Sequence, residues 1–320
     1  MGDAEHLAAG YREFAAREAR RSPLYAELAA GVAGDAGVLA WLSGLPTGKR
    51  QPNLVFAAVR LVGGTPAGWD EFRTVLDERR DEVEREVLAR RTQTNEPARC
   101  ALLLPVLAEL PQPLALLEVG ASAGLCLLPD RYAYDYAGRT VGDGGPVLRC
   151  RPEGDVPIPA APPAVVWRAG LDLEPVDVRD ADAVRWLELL VWPGEEYRLA
   201  DLHGAVAVAR ADPPRIVRGD LLTDLPALAA EAPRDATLVI FHTAVLAYVP
   251  SAGRQAFADT VRGLDAVWLA NEGPRVLGLD GDGPRLASGP PPEAPYDMAL
   301  ARDGRVIAWT DGHGAAVRWL

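Results

Sequence analysis

From residue 4 to about residue 111, apolar residues recur at three- and four-residue steps. Leu7, Tyr11 and Phe14 come first, then Leu24, Tyr25 and Leu28 behind Pro23, a residue suited to a first helical turn. This spacing predicts short helices, interrupted at Gly44, Pro46, Gly48 and Pro52 and again at Gly63, Gly64, Pro66 and Gly68. Segment 70–91 sets Phe72, Val75, Leu76, Val83, Val87 and Leu88 among many charges, the pattern of one or two solvent-facing helices. After Pro113 the pattern changes to short apolar runs at 114–119, 164–173, 215–220, 237–242 and 266–272. Helical stretches are expected between them: from Leu125, from Asp180 through Val184, Leu187, Leu190 and Val191, and from Ser251 through Phe257, Val261 and Leu264. Strands alternating with helices predict a parallel sheet covered by helices. The tail changes again, with strand-like runs at 296–300, 305–310 and 315–320 joined by the turn sequences Asp303-Gly304 and Asp311-Gly-His-Gly314. Residues 280–295, rich in Gly and Pro, read as a loop, and no internal repeat is visible. The expected division is a helical subdomain over 1–112, covering the substrate as a lid, and an α/β domain over 113–320.

Composition narrows the function classes. With 320 residues, 49% of them hydrophobic, the chain can bury one large core and a smaller one. Its 45 acidic and 33 basic residues give a net charge of -12, a field that repels phosphate backbones and anionic lipid surfaces, so neither nucleic acid nor membrane is an expected partner. Lys49 is the sole lysine, a compositional bias without functional weight. Cys100, Cys126 and Cys150 are widely spaced and odd in number, which fits a reducing cytoplasm better than a disulfide framework. The start of the chain has no signal-peptide pattern, and no run is long and apolar enough to span a membrane. His6, His203, His242 and His313 lie far apart, so no metal is expected.

Ligands of an open parallel sheet bind outside the carboxyl ends of its strands, which singles out the residues found there. The first strand runs into Glu118-Val-Gly120-Ala-Ser122-Ala-Gly124, where glycines allow a tight turn and a close approach of backbone to ligand. Ser122 stands where a dinucleotide loop places its middle glycine, and Gly-Lys-Ser/Thr of a P-loop is absent from this segment. Glu118, at the end of a buried strand, needs a partner. Asp172 ends the second strand and is the candidate for the two hydroxyls of a ribose, with Asp177 as the alternative; Asp220 ends the third and is the candidate for an adenine amino group. His242 ends the fourth strand and reads either as a structural residue or as a general base, with Tyr248 beyond it. Asn271 and Glu272 end the fifth. Upstream, Arg91-Thr-Gln-Thr-Asn95-Glu96-Pro-Ala-Arg99-Cys100 is a dense polar patch: Thr94 or Asn95 can cap a helix, or Asn95, Glu96 and Arg99 together can serve a site. Ser122, Asp172 and His242 do not make a hydrolase set, since Gly-x-Ser-x-Gly is missing.

Several of these segments also carry a resemblance. Arg91-Thr-Gln-Thr-Asn-Glu96 with Arg99-Cys100, Glu118-Val-Gly-Ala-Ser-Ala-Gly-Leu125, Asp130-Arg-Tyr132, Trp167-Arg-Ala-Gly170 with Asp172, Leu190-Val-Trp-Pro193, Phe241-His242 and Asn271-Glu-Gly273 resemble the bacterial family known as domain of unknown function 2332, over nearly the whole chain. The resemblance implies Asn where this chain has Cys126. The resemblance implies a Rossmann-like class I methyltransferase fold closed by an antiparallel C-terminal hairpin, and by analogy with that fold S-adenosylmethionine is the expected cofactor. With the strand-end reading it supports Glu118, Gly120, Ser122, Gly124, Asp172 and Asp220 as the expected cofactor residues, Asn95, Glu96, Arg99, Arg131, Tyr132, Arg168, Tyr248, Asn271 and Glu272 as those for a small-molecule substrate, and His242 as the expected base. The alternatives are a non-catalytic nucleoside-binding protein and different chemistry on the same cofactor, with a nicotinamide reductase disfavoured by Ser122. A homodimer is left open.

Overall fold

The computed structural model describes residues 3–18, 21–93, 95–278 and 296–320, so Thr94 and the loop expected over 280–295 lie outside the described residues. Helices in chain order are α1 (Asp3–Glu18), α2 (Pro23–Gly34), α3 (Ala36–Gly44), α4 (Pro52–Gly63), α5 (Trp69–Ala89), α6 (Cys100–Glu109), α7 (Ala181–Leu190), α8 (Glu196–Ala211), α9 (Leu225–Ala229) and α10 (Ser251–Arg262). Strands are β1 (Leu114–Val119), β2 (Ala133–Tyr136), β3 (Arg139–Val141), β4 (Val147–Arg149), β5 (Arg151–Glu153), β6 (Val165–Asp172), β7 (Arg215–Arg218), β8 (Thr237–Thr243), β9 (Val267–Glu272), β10 (Met298–Arg302), β11 (Arg305–Thr310) and β12 (Ala316–Trp319). Among the described residues, no helix is long and apolar enough to cross a membrane.

The chain divides into two compact units, residues 1–94 with 181–199, and residues 95–180 with 200–320. The first is helical. Ser22 caps α2 by accepting from the Tyr25 amide, and Asp35 caps α3 through the amides of Gly37 and Val38. Helix α5 departs from helical dihedrals at Arg79, so segment 70–91 is two helical stretches across a kink. At the centre Phe56 meets Tyr11, Phe14, Tyr25 and Phe72 edge-on, with centroids 5.0–6.2 Å apart. Trp192 packs on Phe14 and Tyr25, and Arg60 donates to the carbonyls of Leu189 and Val191, which ties the segment beyond α7 into this unit. The unit boundary therefore differs from the division expected at residue 112: α6 belongs with the sheet, and 181–199 with the helices. Segment 181–199 is drawn in by contacts over more than 100 positions, Arg60 with Leu189 and Val191, and α6 by nearer ones, such as the Tyr136 hydroxyl on the Ala101 carbonyl.

The second unit holds a nine-stranded sheet in the order β5-β12-β11-β10-β9-β8-β1-β6-β7. Strands β7, β6, β1, β8 and β9 are parallel neighbours. Their order in the chain is third, second, first, fourth, fifth, the arrangement of doubly wound nucleotide-binding sheets, whose switch point lies between the first and fourth strands. From β9 the chain returns antiparallel through β10, β11 and β12, and β5 joins β12 at the edge in parallel. The helix expected from Leu125 is absent. Only a 3-10 turn, Leu125–Leu127, fits between Gly124 and Pro129, because a residue preceding proline is driven out of the helical region. A small sheet, β3-β2-β4, stands where a crossover helix was expected.

Candidate functional site at the strand ends

The turn after β1 is built by glycine geometry, but its donors face inward. Gly120 and Gly124 both have φ +69°, and Ser122, with φ +49°, shares the left-handed region. The amides of Gly120 and Ala121 donate to the Leu171 carbonyl at 2.8 and 3.3 Å, and that of Gly124 to Ala121 at 2.6 Å. The Ser122 amide donates to Asp172 Oδ2 at 2.7 Å and the Ala123 amide to Asn95 Oδ1 at 2.9 Å. A Cβ on Gly120 would lie 2.4 Å from Val245 Cγ2, so this glycine admits another part of the chain. The expected backbone cradle for a ligand is thus replaced by a turn whose five amides are satisfied internally.

Alternation along β1 sends Leu117 and Val119 to the face packed against Phe257 of α10, and Glu118 to the other. Glu118 is 4% exposed, and its Oε2 has no hydrogen-bond partner. Burial pushes its carboxyl well above the ordinary range, with the Cys126 thiol and Asp172 adding to the effect and Arg99 opposing it. Arg99, 3% exposed, donates from Nε to the Gly312 carbonyl at 2.8 Å and from Nη1 to the Thr243 carbonyl and hydroxyl at 3.0 and 3.3 Å. Asn95 Nδ2 donates to Ser122 Oγ at 2.7 Å. The Asn95 side chain thus braces the glycine turn, and the 3-10 turn and α6 that follow begin without a side-chain cap. Glu96 is buried beside them, its carbonyl accepting from the Cys126 thiol at 3.4 Å. A hydrogen bond with Cys100, then burial, push the Cys126 thiol well up. Asp172 is half-buried and also accepts from the Glu174 amide at 2.8 Å. Asn95, Arg99, Glu118, Ser122 and Asp172 therefore form one cluster.

His242 lies on the opposite face. Its ring meets Phe257 edge-on, its Nδ1 is 2.7 Å from Glu272 Oε1, and its Nε2 accepts from the Trp268 indole at 3.0 Å. Because an indole nitrogen only donates, Nε2 carries no proton and Nδ1 donates to Glu272. The same Glu272 oxygen accepts from the amides of Val245 and Leu246 at 2.7 and 3.0 Å. With both ring nitrogens engaged and the side chain wholly buried, His242 does not fit the role of general base; it braces the turn after β8. The sheet also separates it from Glu118, correcting the expectation that both line one pocket.

The other candidates scatter. Asn271 is buried on the Glu118 side, accepting from Thr310 Oγ1 at 2.6 Å. Tyr132 is buried, its hydroxyl donating to the Leu125 carbonyl at 2.8 Å. Arg168 is paired with Asp130 at 2.9 Å, and the more exposed Arg131 with Asp212 at 2.7 Å. Asp220 is exposed, accepting from the Leu222 amide at 2.8 Å; Asp177 is exposed and bound to Arg179. Tyr248 is largely exposed. Sequence reasoning missed Thr243, Val245 and Trp268. Only Trp268, two residues from Ala270 in the register neighbouring His242, left a signal, since a buried indole needs an acceptor.

A family model described as an uncharacterized protein conserved in bacteria, DUF2332, matches residues 8–319. No curated protein and no solved structure matches the chain.

Proposed function

The chain belongs to the DUF2332 family of uncharacterized bacterial proteins, and from that premise we propose that it is an S-adenosylmethionine-dependent methyltransferase acting on a small molecule. The observation carrying this reading is the third-second-first-fourth-fifth strand order with Asp172 at the end of the second strand, hydrogen-bonded to the turn that follows the first. The acidic side chains fit an adenosyl group. Glu118 Oε2 is buried without a donor, and each Asp172 oxygen retains a lone pair beyond its backbone contact. Asp172 would accept from ribose hydroxyls, Asp220 from the adenine amino group, and Glu118 would meet a polar group at the turn. The amides of residues 120–124 would contribute shape alone. The cofactor supplies an electrophilic methyl group when bound, and the chain's work is alignment, which needs no triad. His242 holds the Val245 turn and takes no proton from the acceptor in this reading. The Arg131 and Arg168 ion pairs make these residues structural supports of the acceptor side.

The internally satisfied turn and the engaged His242 favour a second reading, a protein that binds an adenosyl ligand without turnover. Isothermal titration calorimetry with S-adenosylmethionine, S-adenosylhomocysteine, NAD and NADP, followed by an acceptor screen for S-adenosylhomocysteine release, separates the readings. Binding of both adenosyl ligands, weakened about tenfold by Asp172→Asn, together with turnover supports the enzyme. Binding without turnover supports the second reading, and no binding of either adenosyl ligand overturns both.

A further inference from the structure

Arg99 and Glu118 present an unbalanced pair. A guanidinium is always charged and offers five donors, yet the hydrogen bonds of the buried Arg99 run from Nε and Nη1 to neutral groups, the Gly312 carbonyl and the Thr243 carbonyl and hydroxyl. The carboxyl coupled to it electrostatically is Glu118, which keeps one oxygen, Oε2, buried without a donor. A cation taken from water among neutral dipoles costs free energy that a hydrogen-bonded anion offsets. The two groups share a neighbourhood: Thr243, which holds Arg99, lies two residues beyond Phe241, the register partner of Glu118 on the adjacent strand.

We propose that Arg99 and Glu118 together form a subsite for the carboxylate of a small ligand. Arg99 Nη2, the nitrogen that the Gly312 and Thr243 bonds do not use, donates a charge-assisted hydrogen bond to the anion. Glu118, held in its acid form by burial, supplies one O–H to the same group. In a chain of net charge -12, such a local cation offsets the long-range repulsion of an anion. The subsite rests on the reading of these strand ends as a ligand site, and its carboxylate comes either from the amino-acid part of S-adenosylmethionine or from a carboxylic acid acceptor.

The experiment uses the full chain and two probe sets. Sodium acetate and sodium benzoate are compared with sodium chloride at equal ionic strength by thermal shift, and S-adenosylhomocysteine is compared with 5′-methylthioadenosine, which lacks the carboxylate, by calorimetry. A cofactor carboxylate predicts that S-adenosylhomocysteine binds about tenfold or more tightly than methylthioadenosine, and that Arg99→Met removes the difference. An acceptor carboxylate predicts that benzoate or acetate stabilises the wild type beyond chloride, in an Arg99-dependent way. Arg99-dependent carboxylate binding without any adenosyl binding keeps the subsite and discards the cofactor. Absence of any preference for carboxylate in the wild type, or equal preference in Arg99→Met, overturns the subsite. Should Arg99→Met fail to fold, Glu118→Gln decides. Wild-type carboxylate affinity falls as pH rises above the ordinary carboxylate range and Glu118 ionises among Arg99, Cys126, Asp172 and Tyr132, whereas Glu118→Gln shows no such fall. Parallel pH profiles overturn the proposal.

Discussion

Replacing His242 by Phe keeps a ring of similar size against Phe257 while removing both nitrogens. Two consequences follow from the geometry. The Trp268 N–H loses its acceptor in the core, which costs about 1–3 kcal/mol, and Glu272 loses its bond from Nδ1, worth a further 1.5–3 kcal/mol if charge-assisted. Glu272 keeps the Val245 and Leu246 amides, so the turn after β8 loosens without being abandoned. The total is about 2.5–6 kcal/mol, or a Tm lowered by roughly 10 °C or more for a unit of this size. Urea denaturation followed by circular dichroism reads the loss directly. A base role predicts the reverse, a variant as stable as the wild type whose turnover collapses. His242→Phe within about 0.5 kcal/mol of the wild type would refute the bracing role.

Gly120→Ala meets both a positive φ and the Val245 side chain, and should destabilise the chain by about 2–4 kcal/mol; Val245→Ala in the same chain should recover the steric part alone, as denaturation of the single and double variants would show. Glu118 has a folded-state pKa raised above its unfolded value, so the folded chain binds more protons and this residue's contribution to stability falls as pH rises past the ordinary carboxyl range. Glu118→Gln should therefore gain on the wild type as pH rises above the ordinary carboxylate range in urea titrations, and a constant difference between the two would contradict the assignment. Cys100, Cys126 and Cys150 are buried free thiols, and burial pushes Cys150 up to about 12. An aromatic disulfide reagent should react slowly with the native chain and promptly with all three thiols after unfolding; rapid native labelling would show that these sites open.

The strands were legible because each combines a continuous apolar run with clear punctuation: the run at 114–119 is β1, and those at 237–242 and 266–272 are β8 and β9 to within a residue at either end. The tail hairpins were legible from Asp303-Gly304, which carries positive φ at both positions. The misplaced helix after Gly124 shows where periodicity weakens, since four apolar residues fit a 3-10 turn as well as a helix and Pro129 decides between them. Asn95, Arg99, Glu118, Ser122 and Asp172 were legible as polar residues out of place in apolar surroundings. The partners that set their roles were not: Gly312 lies 213 residues from Arg99, and Trp268 and Glu272 follow His242 by 26 and 30. Sheet order, which only pairing reveals, brings these together, and strand alternation assigns Glu118 and His242 to opposite faces.

That opposition makes the sheet a septum between two buried acid clusters. Each keeps one carboxylate oxygen without a hydrogen-bond donor, Glu118 Oε2 on one face and Glu272 Oε2 on the other, while Glu272 Oε1 holds the turn after β8 in place. Because a layer of strands stands between them, alterations to one can be combined with alterations to the other and their energies should add. Changes around Glu118 can then accumulate on one side of the wall without loosening the bond between His242 and Glu272 on the other.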